Sequence, residues 1–479
     1  MHVDYDVIIV GAGLSGVDAA YRIQSECPHL SYTVLEARDA IGGTWDLFKY
    51  PGIRSDSDMY TLGFPFYPWK NPKAIADGPS ILSYIKKTAS HFGIDQKIQF
   101  NNRVMHASWS DESKLWTIQI DFNGSEKTMH CRFLFMTSGY YNYDNGYAPA
   151  FTNSEAFKGP IIHPQHWDEN LDYTDKDIVV IGSGATAVTL VPELAKKANR
   201  VTMLQRSPTY IMTLPSTDKI ANFFNKWLPA KMAFRLTKWK NVLLSLFLYL
   251  YSKKKPESMK AFLMKGVHRG LKTDKLDKHF TPRYNPWDQR LCLVPDGDFF
   301  KAVRSEKAQV VTDEIVQFTE SGIALKSGKE LKTDIIITAT GLKLQLLGGI
   351  SITVNGKLIN TAELHSYKGV MFSDMPNFAF AVGYTNASWT LKCDLNCQFV
   401  ARILNHMKDK NKSVVVPRFD ESKYGSEPLL DFDAGYVKRA LDSLPKQGSK
   451  KPWKVHQNYI KDTISLRLEK IDNPNLEFS

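Results

Sequence analysis

Cysteine is scarce in this chain: five in 479 residues, at Cys27, Cys131, Cys292, Cys393 and Cys397, with no Cys-x-x-Cys pair. That spacing excludes a disulfide scaffold and leaves no sequence case for a zinc or other metal site or a thioredoxin-like centre. A reducing, cytoplasmic setting is expected. The chain also lacks a transmembrane run. The apolar stretch Val242–Tyr251 lies between Lys238-Trp-Lys240 and Lys253-Lys-Lys255, and about ten residues cannot span a bilayer. The first residues carry no basic region or cleavage pattern, so no signal peptide is expected and the fold should start at once. Acidic residues are outnumbered, 50 against 61 basic, giving a net charge of +11. That balance favours anionic partners: nucleic acid, a membrane surface or phosphate-bearing cofactors. No nucleic-acid-binding motif accompanies it. With 43% hydrophobic and 12% aromatic residues the chain can bury real cores, and its length predicts two to four domains.

Asp6–Val10 reads as a short strand buried in a parallel sheet. Gly11-Ala-Gly13-Leu-Ser15-Gly16 follows, then a helix over Val17–Gln24 and a second strand over Tyr32–Leu35 ending at Glu36. The spacing assigns each residue a task. Gly11 permits the tight turn, Gly13 lets the backbone approach a pyrophosphate, and Gly16 lets helix and strand pack closely. The helix start offers free N–H groups to phosphate, and Glu36 can accept from ribose hydroxyls. The site therefore fits FAD or NAD.

The pattern recurs. Asp177–Ile181 leads into Gly182-Ser183-Gly184-Ala185-Thr186-Ala187, a helix to about Lys197, and a strand over Val201–Gln205. Here the third glycine is Ala187, and the strand ends at Arg206-Ser207 instead of an acid. A cation at that point suits a 2′-phosphate, so the second site reads as NADPH; the bland reading of Arg206 is a solvated strand-end charge. Two dinucleotide sites in one chain imply electron transfer between two cofactors.

Further residues carry a family resemblance. Phe157-Lys-Gly159-Pro-Ile-Ile-His163-Pro-Gln-His166-Trp167-Asp168 matches the pattern F-x-G-x-x-x-H-x-x-x-W-[P/D]. Gly43-Thr-Trp45, Tyr50-Pro-Gly52 and Asp56 supply a second motif. Gly52–Tyr60, Tyr284–Cys292 and Val382–Thr390 also fit, so the resemblance runs from about Asp4 to past Trp453. The chain resembles the Baeyer–Villiger monooxygenases among class B flavoprotein monooxygenases, in particular the ethionamide-activating subgroup. Asp334–Ala339-Thr-Gly341 resembles the strand by which two-dinucleotide flavoproteins return to the FAD domain. Disulfide reductases of similar architecture carry a redox cysteine pair near Gly42–Phe48, where this chain has none.

The resemblance implies an α/β fold with two Rossmann-like dinucleotide-binding domains, for FAD and NADPH, and a helical insert. The expected division is 1–146 for the first part of the FAD domain and 147–332 for the NADPH domain. The helical insert falls at about 216–278, and 333–479 is the FAD return segment and C-terminal region. The implied reaction converts a ketone with O2 to an ester or lactone through a C4a-peroxyflavin, with oxidation of thioether or thioamide sulfur besides. An N/S-oxidising flavin monooxygenase stays as an alternative, disfavoured by Trp167-Asp168. So does an NADPH-dependent reductase that passes electrons to a partner. The expected partners are a small apolar ketone or sulfur compound and molecular oxygen.

The implied catalytic pair is Arg290, a cation for an anionic intermediate, and Asp56, the carboxylate that holds it. Thr44, Trp45, Asp46, Leu47, Asp56 and Val104 join Gly11, Gly13, Ser15, Gly16 and Glu36 at the FAD site. Arg54, Ser55 and Asp56 join the second glycine turn, Arg206 and Ser207 at the NADPH site. Gln289 stands where many members carry Lys, so preference for NADPH rests mainly on Arg206. Phe157, Gly159, His163, Trp167 and Asp168 are expected to form a hinge, with His163 positioning the domains and doing no chemistry. Two readings stand for the insert: a buried core helix, or an interfacial helix whose lysines meet anionic lipid. Trp453, in the basic C-terminal segment, is a candidate to close over substrate.

Overall fold

In a computed structural model, residues 2–273, 278–289, 291–429 and 435–479 are described. The strand β1 (Tyr5–Val10) buries Val7, Ile8 and Ile9 completely, as the central strand of a parallel sheet must. The chain turns at Gly11, where φ is +107°, into α1 (Leu14–Glu26), and returns as β2 (Tyr32–Leu35). Short helices α2 (Thr44–Leu47) and α3 (Met59–Leu62) precede the longer α4 (Gly78–His91). Then come β3 (Ile98–Gln99), β4 (Asn102–Ser110), β5 (Leu115–Phe122) and β6 (Ser125–Met136). The spatial order is β4-β5-β6-β1-β2-β3, with β6 to β3 parallel and β4–β6 an antiparallel meander.

A second sheet holds β7 (Ile161–Ile162), β8 (Asp177–Ile181), β9 (Arg200–Gln205), β10 (Ala308–Thr312) and β11 (Ile335–Thr338). All five are parallel, in the order β10-β9-β8-β11-β7. Helix α5 (Ala185–Leu194) links β8 to β9. Between β9 and β10 the chain makes the insert, α6 (Lys219–Trp227), α7 (Ala230–Lys254) and α8 (Pro256–Leu271), and then α9 (Asp298–Arg304).

Three expectations need correction. The division at 332/333 placed Asp334–Gly341 with the first unit, but β11 sits in the second sheet between β8 and β7. Its Ile335–Ile337 are buried there between two parallel partners. The chain rejoins the first sheet only with the strands Ser351–Val354, beside β4, and Phe378–Phe380, beside β6. The reading of the insert's centre as a buried core helix also fails. Helix α7 runs 25 residues and buries Ala233, Phe234, Thr237 and Val242, yet turns Leu243, Leu244, Phe247 and Leu250 outward. Among the described residues no helix is long and apolar enough to cross a membrane. Finally, Trp453 does not close over a site. It is fully buried between Tyr367 and Phe419, at ring distances of 5.2 and 4.8 Å, and its Nε1 donates to Asn475.

The two units are stitched where the chain crosses between them. The Tyr147 N–H donates to Gly341 O at 3.0 Å, Asn142 N–H to Lys343 O at 2.8 Å, and Gln345 N–H to Tyr140 O at 3.0 Å. The outgoing and returning segments thus run side by side. The last long helix, α10 (Trp389–Asp409), packs on α1, and Arg22 bridges them through Asp394 at 2.5 Å.

Candidate active site

The glycine turns do what their spacing requires. A Cβ on Gly16 would lie 1.8 Å from Gly11 O, so only glycine lets α1 pack this close to the turn. At the second turn Gly182 has φ of +137°, and a Cβ there would meet Ala339 O at 2.3 Å. Gly184 faces open space, with nothing within 4 Å of its virtual Cβ. Neither α1 nor α5 has a side-chain cap or an acid in its first turn, whereas α3, α4 and α6 are capped by Asp58, Asp77 and Asp218. Helices α1 and α5 therefore keep their first N–H groups and positive dipole ends available to a phosphate.

The strand ends differ as expected. Glu36 is buried, and its carboxylate accepts from Ala12 N–H at 2.7 Å and from Arg38 N–H at 3.0 Å. Burial pushes its carboxyl above the ordinary range, and the N–H donors offset part of that push. Arg206 and Ser207 are exposed at the end of β9. The Ser183 hydroxyl donates to Ser207 O at 3.1 Å, which ties that strand end to the second glycine turn. The donor sets fit a ribose-bearing dinucleotide at the first site and a 2′-phosphate at the second.

A cavity of about 330 Å³ lies between the units. Gly11, Gly13, Ser15, Glu36, Thr44 and Trp45 line it from the first unit, and Ala185 and Thr186 from the second. Arg54, Ser55 and Asp56 line it where the units meet. The other expected residues stand outside this lining. Gly16 and Ala187 are buried in the first turns of α1 and α5, and Asp46 is held by Arg38 at 2.6 Å, one residue before Leu47. Val104, in the meander strand β4, is buried in the core of the first unit. Gly182, Ser183, Gly184, Arg206 and Ser207 form a separate group at the carboxyl edge of the second sheet. Arg290 lies outside the described residues.

Arg54 has a partner that the sequence did not suggest. Its Nη1 donates to Asp298 Oδ2 at 2.5 Å, while its buried Nη2 has no hydrogen-bond partner. The side chain is only 9% exposed. Asp298 opens α9 in the second unit, 244 positions along the chain, beyond the reach of any local pattern. Two aromatic residues were also missed as site residues. Trp389 stacks on Tyr140 at 4.9 Å, and its Nε1 donates to Ser15 Oγ at 2.9 Å. Tyr140 follows β6, at the carboxyl end of a parallel strand, where ligands of open α/β sheets bind.

The hinge residues divide between packing and bridging. Phe157 is buried beneath the second sheet, and a Cβ on Gly159 would strike Asp334 O at 2.2 Å. Trp167 is buried in the second core beside Tyr173, while Asp168 accepts from Asn170 N–H. His163 bridges the crossing segments: Nδ1 accepts from Gln165 N–H at 3.2 Å, so Nε2 carries the proton and donates to Gly341 O at 3.2 Å. Burial pushes its imidazole below the ordinary range, which favours this neutral form.

Similarity to known proteins agrees with this geometry. A family model described as flavin-binding monooxygenase-like matches residues 4–370. The FAD-containing monooxygenase EthA of Mycobacterium tuberculosis is 55% identical over 476 residues, spanning 99% of this chain and 97% of that one. The probable FAD-binding monooxygenase AlmA of Acinetobacter baylyi is 47% identical, spanning 99% and 96%. Among solved structures, an oxidized steroid monooxygenase bound to NADP superposes with a TM-score of 0.78 at 21% identity, covering 99% of both chains. A complex of OTEMO with FAD and NADP gives 0.76 at 20% identity over the whole of both chains. The α/β fold is therefore shared with these structures, and the chain belongs to the flavin-binding monooxygenase-like family.

Proposed function

We propose that this protein is an FAD- and NADPH-dependent monooxygenase that converts apolar ketones to esters or lactones and also oxidises thioether or thioamide sulfur. The observation that carries this reading is the cavity reached by both units, with Arg54 and Asp56 at their junction. FAD, when bound, supplies the two-electron chemistry with NADPH and oxygen. Glu36 binds the ribose of FAD, and the uncapped start of α1 binds its pyrophosphate. The start of α5 takes the pyrophosphate of NADPH, and Arg206 with Ser207 takes its 2′-phosphate. Asp298 orients Arg54 so that its free Nη2 donates into the cavity. Cys27, Cys131, Cys292, Cys393 and Cys397 are all buried and form no disulfide among the described residues; a reducing, cytoplasmic setting is part of this reading.

Negative charge developing on the substrate oxygen calls for a fixed cation, and arginine remains protonated in any such setting. We assign that role to Arg290, with Asp56 as its tether. Arg290→Ala should abolish ester formation, a loss of about 3–4 kcal/mol of transition-state stabilisation, with flavin binding intact. Retained ester formation would refute the assignment. The reading as a whole is tested by supplying NADPH, a ketone or thioether, and isotopically labelled O2. One labelled oxygen atom in the ester or sulfoxide supports it. NADPH consumption that yields no oxygenated product, with electrons passed only to an added acceptor, would identify a reductase instead.

A further inference from the structure

The outer side of the helical insert presents apolar side chains to solvent, opposite its packed side. On α7, Met232, Leu236, Trp239, Leu243, Phe247 and Leu250 recur at steps of three and four residues, so they fall on one narrow stripe. Each is between 40% and 61% exposed. The side chains that α7 buries, among them Phe234, Thr237 and Val242, project from the other side of the helix. Helix α6 repeats the arrangement, with Ile220, Phe223 and Trp227 exposed and only Ala221 buried. Residues 219–262 contribute eleven of the nineteen large apolar side chains exposed among the described residues. That concentration exceeds what scattered surface residues give, and such a face marks an interaction site.

Charge identifies the occupant. Residues 219–262 contain ten lysines and arginines and one acid, Glu257. Lys219, Lys226, Lys231, Arg235, Lys254 and Lys255 are exposed around the stripe. A second copy of the chain would bring this excess of positive charge against itself. An anionic lipid surface complements it, and tryptophans beside lysines suit the headgroup region. At 25 residues, α7 is about 37 Å long, enough to lie along a bilayer that it cannot cross.

We propose that the outer face of α6 and α7 docks on an anionic bilayer, with the apolar stripe at the boundary of headgroups and acyl chains. The opposite, packed side of α7 reaches toward the cavity. Asn241 Nδ2 donates to Asp58 Oδ1 at 2.8 Å, and Asp58 caps α3, whose Leu62 lines the cavity. Delivery of apolar substrate from the bilayer rests on the oxygenase reading above; the docking itself does not.

The test is co-sedimentation of the FAD-loaded protein with phosphatidylcholine vesicles, with and without phosphatidylglycerol. The wild type should pellet with the anionic vesicles and stay largely in solution with the neutral ones. Two double variants, Leu243→Ser with Phe247→Ser and Lys254→Glu with Lys255→Glu, should each lower partitioning about tenfold or more. All four side chains are exposed, so flavin content and lipid-free NADPH oxidation should be unchanged. Failure of the wild type to pellet with anionic vesicles would overturn the proposal. Equal binding to neutral vesicles, or undiminished binding by both variants, would do the same. So would a sedimentation-velocity dimer that the serine variant converts to monomer, because the face would then be covered by a second copy. Loss of oxygenation with intact vesicle binding would strike the oxygenase reading and leave the docking in place.

Discussion

The two glycine turns of this protein are built alike and used differently. Both follow a buried strand and lead into a helix with no side-chain cap. They part at the third small residue and at the end of the next strand. Gly16 is pressed against Gly11 O, whereas Ala187 is accommodated, and Glu36 is buried where Arg206 is exposed. On the proposed reading, the shared backbone sets where a dinucleotide lies, and one charged residue at a strand end sets which kind it is.

Substitutions can break this comparison, starting with the most severe. Glu36→Ala removes the acceptor of two backbone N–H groups, at about 1–3 kcal/mol each, besides the expected ribose contacts. The protein should purify without flavin, as read from its absorbance spectrum, and yellow protein at full stoichiometry would refute the role. The same carboxylate gives a pH dependence. Its proton affinity is raised by burial, and ribose hydroxyls need the ionised form. Flavin retention should therefore be complete well above its pKa and fall on acidification, beginning at a higher pH than an ordinary glutamate would give. Flavin fluorescence against pH measures this.

Gly16→Ala should come next, since a methyl 1.8 Å from a carbonyl oxygen must displace backbone. About 1–3 kcal/mol of stability should be lost, seen as a lower Tm together with weaker flavin binding. Arg206→Ala should raise KM for NADPH about tenfold or more, the scale of one charge-assisted hydrogen bond, with NADH kinetics and flavin content unchanged. An equal change for both nucleotides would remove Arg206 from the 2′-phosphate. The mildest is Ala187→Gly, the mirror of Gly16→Ala. It should cost about 0.5–1 kcal/mol in helix propensity, read as a small drop in Tm.

Much of this was legible in the chain. β2 and β8 were placed to the residue, and β1 and β9 within one residue, because buried parallel strands are continuous apolar runs bounded by glycine turns. What failed depended on partners distant in sequence. Asp334–Gly341 is an apolar strand wherever it lies, and nothing local says which sheet pairs with Ile335–Ile337. The apolar centre of α7 was visible, but periodicity does not tell an inward stripe from an outward one. Trp453, in a basic segment, read as a residue to close over substrate, while Tyr367 and Phe419, which enclose it, lie far back in the chain. Arg54 was picked out for its neighbours in a motif, and its ion pair with Asp298 belongs to tertiary structure alone.

The paired crossings between the units have a mechanical consequence. Two single, independent tethers would let the second unit turn about many axes. Here Asn142–Lys343, Tyr147–Gly341 and Gln345–Tyr140 are joined by backbone hydrogen bonds, and His163 adds a fourth bond to Gly341. Such a join would act as a flat strap, stiffer in its own plane than across it. A nicotinamide carried by the second unit would then travel along one arc past the first, so its approach to a flavin is a matter of how far the strap bends and not of which way it turns.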